Sequence, residues 1–502
     1  MSRSRRSVKL MWLIAAVLVL GIAGYGVLRH EGKRGSAASA RIADPAPFTP
    51  DLPEVERLRA AVKGRNVVVC VLDAARADHF TCYGYPRDTT PNSDRVAEAG
   101  LLLENHFCPC PETKPSTASL FTGQYPDTHL AYDERKLPPS TFTLAQAFHS
   151  AGFHTVLFSQ NEYASPLWGL GEDFDEAFYE PHLKAAGWKQ PFFWRPDALL
   201  QQVSLWLAKK PSAPFFAYVH FMPPHSPYIA PFDVYGYYME SKPPNARRGR
   251  YPFDEVEREL RASEKPWDLN LYVNRYDGNL RYGDMAIGQL EQMLRDAGLF
   301  DNTLFVVTAD HGEAFGEHGY KGHTISVFDE NTHIPLLIRF PDNAAQGRRI
   351  QGLTQTLDLL PTLCDLFEIP YPRKAVEGRS FLPLMAGAAP EVNGFIFSRG
   401  RGKPPSYAVR DHDHLLLLYQ GAKLRALYDL REDPRALKNV IAKETEAAVR
   451  LTDDFRSFAK QQTAPPLEFA DPNAQPAQLP AVEMVKPDEE MLRTIRALGY
   501  LK

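Results

Sequence analysis

Five short runs of apolar, β-branched and aromatic residues, set between stretches of helical periodicity, leave this chain few ways to fold. The runs lie at 66–72, 155–159, 215–221, 304–308 and 335–340. The first reads N-V-V-V-C-V-L. A strand with no polar alternation must be covered on both faces. Helical patterns fall at 91–99, 144–151, 197–209, 270–297 and 354–367. Strands alternating with helices predict an α/β fold, a mostly parallel sheet sandwiched by helices, with ligands bound beyond the carboxyl ends of the strands. From about residue 393 the texture changes to closely spaced strands at 394–398, 407–410, 415–420 and 424–430. These predict a small C-terminal antiparallel subdomain.

The ends of the chain differ from its middle. Residues 10–28 are apolar apart from Gly, Trp and Tyr, and follow Arg3, Arg5, Arg6 and Lys9. That length suits a bilayer-spanning helix, and the charge before it favours a cytoplasmic N-terminus. Arg29, Lys33 and Arg34 just beyond the run weaken the asymmetry. A cleaved signal peptide is the alternative, with S-A-A-S-A at 36–40 lying late for a cleavage site. Either way the bulk of the chain is expected outside the cytoplasm. The expected layout is a membrane anchor at 1–34, a linker at 35–60, a catalytic domain at 61–390, the C-terminal subdomain at 391–462 and a Pro/Ala-rich tail at 463–502 carrying a short helix at 489–498. A formal net charge of −4 argues against nucleic acid as a partner and leaves small or lipid-like molecules. Five cysteines are too few to build the fold from disulfides. Cys70 reads as a small core residue, and Cys82, Cys108 and Cys110 are the candidates for one bridge bracing the loop before Thr113.

The chemistry gathers at strand ends. The first run continues into Asp73, where a carboxylate just past a buried strand is poorly solvated unless a cation meets it. The run at 304–308 leads in the same way into Asp310 and His311. If the two strands are neighbours, two carboxylates and an imidazole converge into a divalent-metal site. Taken singly, Asp73 would cap a helix and D-H-G would be a turn. A third element tips the balance. Thr113 precedes K-P-S, and Pro115 suits the first turn of a helix running to about Phe121, whose N-terminus favours an anionic ester group.

Four segments, V-L-D-A-A-R-A-D-H-F-T-C-Y-G-Y, T-K-P-S-T-A-S-L-F-T-G, V-H-F-M-P-P-H-S-P-Y and T-A-D-H-G-E-A-F-G-E-H-G, together resemble in order the motifs of the sulfatase family in the alkaline phosphatase superfamily. L-Y-D-L-R-E-D-P at 427–434 resembles that family's C-terminal subdomain, and the R-A-L-G-Y-L ending is similar to that of bacterial members. The resemblance implies that Asp73, Thr113, Asp310 and His311 bind one divalent metal and that Thr113 is the nucleophile. It implies that His225 and His323 contact the ester oxygens or protonate the leaving group, with Lys114, Lys321 and His220 as substrate contacts. For His220 a satisfied core histidine is the alternative. Arg76 is expected to pair with Asp73 or to support the site from behind. The implied activity is hydrolysis of sulfate or phosphate esters of a small molecule, glycan or lipid. A phosphoethanolamine- or phosphoglycerol-type transferase and a catalytically silent binding protein are the alternatives.

Three departures reshape that expectation. Ala74 stands where many sulfatases carry a second aspartate, and Thr117 where an arginine follows P-S. Thr113 stands where the family converts a cysteine or serine to formylglycine. Threonine is not a known substrate for that conversion, and neither Cys108 nor Cys110 has a proline two places later. An ordinary hydroxyl is a weak nucleophile that metal coordination activates. His311 takes the place of the asparagine of typical calcium-dependent members, so Mn or Zn is expected over Ca. An alkyl ester of threonine must be cleaved by attack at sulfur or phosphorus, and phosphorus is the more familiar target. Aromatic, proline and basic residues at 231–266 are the candidate determinants of substrate choice.

Overall fold

The computed structural model describes residues 53–462 apart from 186, 188–194, 212–213, 232–233, 235–237, 239–268, 402–404 and 420–423. The apolar run at 10–28, the tail helix at 489–498 and most of 231–266 therefore lie outside the described residues. No described helix is long and apolar enough to cross a membrane.

The central sheet has eight strands: β1 (Asn66–Leu72), β2 (Leu101–Phe107), β3 (His154–Ser159), β4 (Glu176–Phe178), β5 (Phe215–Phe221), β6 (Thr303–Ala309), β9 (Leu336–Arg339) and β10 (Arg348–Gln355). Their order is β10-β2-β9-β6-β1-β5-β3-β4. All pairs are parallel except those of β9, which runs antiparallel to both β2 and β6. Two short strands, β7 (Ala314–Phe315) and β8 (Lys321–Gly322), form an antiparallel ribbon between β6 and β9 in the chain.

Burial explains the apolar runs. Every residue of β1 is buried, and successive side chains enter opposite cores. Val68, Cys70 and Leu72 pack with α2 (Pro91–Ala99), α5 (Pro196–Ala208) and α6 (Leu269–Asp296). Val67, Val69 and Val71 pack with α1 (Pro53–Val62), α3 (Thr113–Thr122), α4 (Leu144–Ser150) and α7 (Leu359–Leu366). The stretch 354–367, whose periodicity predicts one helix, divides: β10 runs to Gln355, a single 3₁₀ turn covers Thr356–Asp358, and α7 starts at Leu359. Asp358 makes the break. Its carboxylate accepts from the Gln355 N–H at 2.8 Å and the Arg379 N–H at 2.7 Å.

The second sheet is antiparallel, β11 (Ile396–Arg399), β12 (Ser406–Arg410), β13 (His414–Tyr419) and β14 (Leu424–Asp429) in sequential order. It packs Phe397, Tyr407, Val409, Leu416 and Leu418 against Leu451, Phe455 and Phe458 of α8 (Thr445–Ala459). Sequence periodicity misses α8 altogether. No bridge forms among the cysteines: all five are free thiols. The loop before Thr113 is braced instead by backbone hydrogen bonds, Cys108 N–H to the Thr332 carbonyl at 2.8 Å, Thr324 N–H to Pro111 at 2.7 Å and Arg399 N–H to Pro109 at 2.8 Å.

Candidate active site

Parallel register creates the centre of the site. Leu72 pairs with Phe221 of β5 on one side and with Ala309 of β6 on the other, so Asp73 and Asp310 leave neighbouring strands at the same level. Ala74 has φ 62, and this left-handed turn aims its N–H at Asp310 Oδ1, 3.0 Å away. The same oxygen accepts from the His311 N–H at 2.8 Å. Asp310 Oδ2 and Asp73 Oδ1 are buried with no hydrogen-bond partner. From β5, His220 brings Nε2 to 3.1 Å from Asp73 Oδ2 and 3.9 Å from Asp310 Oδ2, while its Nδ1 meets the Tyr218 hydroxyl at 2.9 Å. From the end of β3, Asn161 donates through Nδ2 to Asp73 Oδ2 at 2.6 Å and reaches Thr113 Oγ1 at 3.4 Å.

Thr113 opens α3 directly over this pair, and Ser116 in the same turn donates its hydroxyl to the Asp310 carbonyl at 2.6 Å. Thr113 Oγ1 is 3.3 Å from His311 Nε2. The His311 ring is fixed by its other nitrogen, Nδ1, which donates to the Gly312 carbonyl at 2.9 Å. Its Nε2 lies 3.5 Å from Asp310 Oδ2 and 3.7 Å from Asp73 Oδ1. The His323 ring is 4.4 Å from that of His311 and 4.9 Å from that of His225. His225 is 6.4 Å from His311, centroid to centroid.

The charges are strongly coupled. Burial opposes ionisation of Asp73, yet the neighbouring His225, His220 and His311 outweigh it and hold that carboxyl below its ordinary range. Burial and then the charge of Asp73 push Asp310 upward. Burial pushes His311 down, but Asp310 and Asp73 win and raise it. His323 is driven well down by burial, reinforced by His311 and His225. Two buried carboxylates with orphaned oxygens need a cation between them. Donor atoms of Asp73, His220 and Asp310 lie within 4.8 Å of one another, with His311 Nε2 close by. Oxygen and imidazole donors in this arrangement fit a divalent transition ion.

The family model described as Sulfatase matches residues 65–369. The chain belongs to the sulfatase family. A second match, N-sulphoglucosamine sulphohydrolase, C-terminal, covers residues 316–461. An arylsulfatase of Clostridium perfringens is 24% identical over 443 residues, covering 76% of this chain and 90% of the relative. A multifunctional alkaline phosphatase superfamily protein of Trinickia caryophylli is 24% identical, covering 81% and 96%. The crystal structure of a phosphonate monoester hydrolase of Agrobacterium radiobacter superposes with a TM-score of 0.60 at 23% identity, over 78% of this chain and 94% of that one. The chain is thus a sulfatase-family hydrolase, and its fold is that of the family.

Within this sulfatase-family site, Asp73, Thr113, Asp310, His311, His225 and His323 come together as their motifs imply. His220 sits with the carboxylates, among the candidate ligands rather than among substrate contacts. Lys114 is buried, its ammonium held by the Asp133 carbonyl and 3.7 Å above the Trp168 ring, and burial lowers it to about 7. Lys321 lies on β8 with its ammonium 5.8 Å from the Tyr272 ring. Arg76 does not pair with Asp73. It binds Asp78 through Nε and Nη2 at 2.9 and 2.8 Å, and Glu317 through Nη1 at 2.6 Å. The turn at Ala74 takes the chain off the sheet before Arg76, and His220 and Asn161 meet Asp73 Oδ2 instead. Asn161 escapes sequence reasoning although its signal is present: it follows β3 as Asp73 follows β1. Glu313 escapes too. Its carboxylate is buried 3.5 Å from His323 Nδ1, and burial pushes it up to about 7.

Proposed function

We propose that this chain hydrolyses phosphate esters in preference to sulfate esters, outside the cytoplasm, through a covalent ester of Thr113. The reading rests on Thr113 Oγ1, 3.3 Å from His311 Nε2 and facing two buried carboxylates with orphaned oxygens. A divalent ion held by Asp73, His220, Asp310 and His311, Mn or Zn rather than Ca by its imidazole donors, would lower the pKa of the Thr113 hydroxyl and neutralise charge on the ester oxygens. The positive end of the α3 dipole favours an anion at the same point.

Thr113 Oγ, its proton already released to solvent, attacks phosphorus; the bond to the leaving oxygen breaks and that oxygen takes a proton from His323 or His225. Water then attacks the phosphorus of the Thr113 ester, the bond to Thr113 Oγ breaks, and the same imidazole accepts the water's proton. A threonine ester has no second hydroxyl with which to expel the anion by breaking its own C–O bond. Displacement at the central atom is therefore required, and that favours phosphorus. The likeness to proteins named phosphonate monoester hydrolase and multifunctional alkaline phosphatase superfamily protein supports this choice. Export with a retained anchor is supported by the apolar run at 10–28 and the basic residues before it.

Purified protein loaded with Mn or Zn is expected to turn over aryl phosphate monoesters, diesters or phosphonates faster than aryl sulfate, with at least a thousandfold loss in Thr113→Ala, roughly the scale set for removing a nucleophile. Faster turnover of aryl sulfate, lost in Thr113→Ala, overturns the phosphate preference. Full activity in Thr113→Ala overturns the covalent route, and inactivity on every ester without bound metal leaves a silent binding protein. Protease added to intact cells should digest the catalytic domain if it is exported.

A further inference from the structure

The ribbon that follows β6 brings a carboxylate under one imidazole of the site. In it Ala314 pairs with Gly322 and Phe315 with Lys321. The next antiparallel pair outward is Glu313 and His323, and there the Glu313 Oε1 to His323 Nδ1 distance is 3.5 Å. Glu313 is 1% exposed, and its Oε2 has no hydrogen-bond partner. Its backbone is pinned by Arg76, whose Nη1 donates to the Glu313 carbonyl at 3.0 Å. Arg76 is in turn clamped between Asp78 and Glu317. Among the described residues the His323 imidazole is the ion-pair contact of the Glu313 carboxylate, while His225, His311 and Arg76 act on it through their charge.

Resting on the function proposed above, we propose that Glu313 is a positioning residue that holds His323 through Nδ1 and so commits the opposite nitrogen, Nε2, to the reacting ester. A contact of 3.5 Å is long for a hydrogen bond. Such contacts commonly tighten only when substrate is bound. His323 rests neutral with its one proton on Nδ1, and its free Nε2 takes up the proton that a monoprotonated ester brings with it. As the bond from phosphorus to the leaving oxygen breaks, its electron pair goes to that oxygen, which takes this Nε2 proton, and the ring is neutral again with Nδ1–H toward Glu313. Nε2 then accepts a proton from the water that attacks the Thr113 ester and loses it with the departing phosphate, so Glu313 changes neither charge nor protonation.

The test compares wild type, Glu313→Gln, His323→Gln and the double variant on aryl phosphates of graded leaving-group acidity, with bound metal and melting temperature measured for each. Glu313→Gln should lose about 10- to 100-fold in kcat on the poorest leaving groups and about threefold or less on the best, within the usual range for general-acid effects. KM and metal content should stay unchanged, and the double variant should be no worse than His323→Gln alone. An equal loss across the series, additivity, or a parallel fall in bound metal overturns the proposal. Glu313→Asp, which keeps the charge, substitutes if Glu313→Gln does not fold, and should lose less on the poorest leaving groups. A readout free of turnover is the His323 ring nitrogen spectrum of ¹⁵N-histidine protein, assigned with His323→Gln. It should report Nδ1–H in wild type and a mixture of tautomers in Glu313→Gln, and an unchanged ring overturns the proposal even if no ester is hydrolysed. Inactivity of wild type with the expected tautomer change would overturn the phosphatase reading alone.

Discussion

At the scale of single residues, the site holds Asp73 and Asp310 in a place that costs stability until a cation arrives. Each carries an oxygen without a hydrogen bond, and the charge of Asp73 pushes Asp310 up. Asp310→Asn keeps an oxygen for the Ala74 and His311 N–H groups while removing the like-charge conflict. The metal-free variant should therefore melt higher than metal-free wild type. The same substitution should abolish the stabilisation that Mn or Zn gives wild type, so melting curves with metal and with EDTA should cross over between the two proteins. Asp73, Thr113, Asp310 and His311 were legible in the sequence because each lies in a motif or at the end of an apolar run. His220 was not. Its role depends on β5 lying beside β1, and strand order is a property of the folded sheet that no local pattern encodes.

Whole elements follow the same rule. The strands buried on both faces announce themselves, and β1 and β5 have the bounds their apolar runs predict. Strand β10, at the sheet edge, reads R-R-I-Q-G-L-T-Q and alternates exposed with buried positions at its start, so no apolar run marks it. The apolar run of β2 is broken before Phe107 by Glu104, Asn105 and His106, of which Asn105 bonds to β10 backbone and His106 to a β10 side chain. For α3, the L-F-T-G close supplies the stop signal. Gly123 has φ +66, its N–H donates to the Ser119 carbonyl at 2.9 Å, and its own carbonyl accepts from Glu377 and Gly378. A Cβ at Gly123 would lie 2.7 Å from Val376 Cγ1. Gly123→Ala should destabilise by about 1–3 kcal/mol, from the left-handed backbone and the contact together, measured by urea unfolding. Because the other end of this helix carries Thr113, kcat should fall with it.

For the molecule as a whole, acid stability should be limited by two buried histidines outside the site. His106 bonds Thr354 Oγ1 through Nδ1 at 2.9 Å, and His129 accepts from the Ala131 N–H while its Nε2 meets Ser119 Oγ at 3.0 Å. Burial lowers each to about 3. In the unfolded chain both protonate near pH 6.5. The unfolded state therefore binds more protons between those values, and stability is complete above about pH 6.5 and is lost as pH falls toward 3. At pH 5 the loss should be about 2 kcal/mol for each. Between pH 7 and 5 the buried Asp284 and Asp358, each pushed up to about 6, act in the opposite sense, so the histidine contribution is read from the difference between wild type and His106→Leu, whose urea midpoint should fall less over that range.

The five unbridged thiols have a practical consequence for handling the protein. A reducing agent has nothing structural to break, so dithiothreitol should leave the melting temperature of the catalytic domain unchanged. With the proposed nucleophile translated directly as Thr113, folding in an ordinary bacterial cytosol should yield working protein, with neither an oxidising compartment nor a helper enzyme supplied by the host.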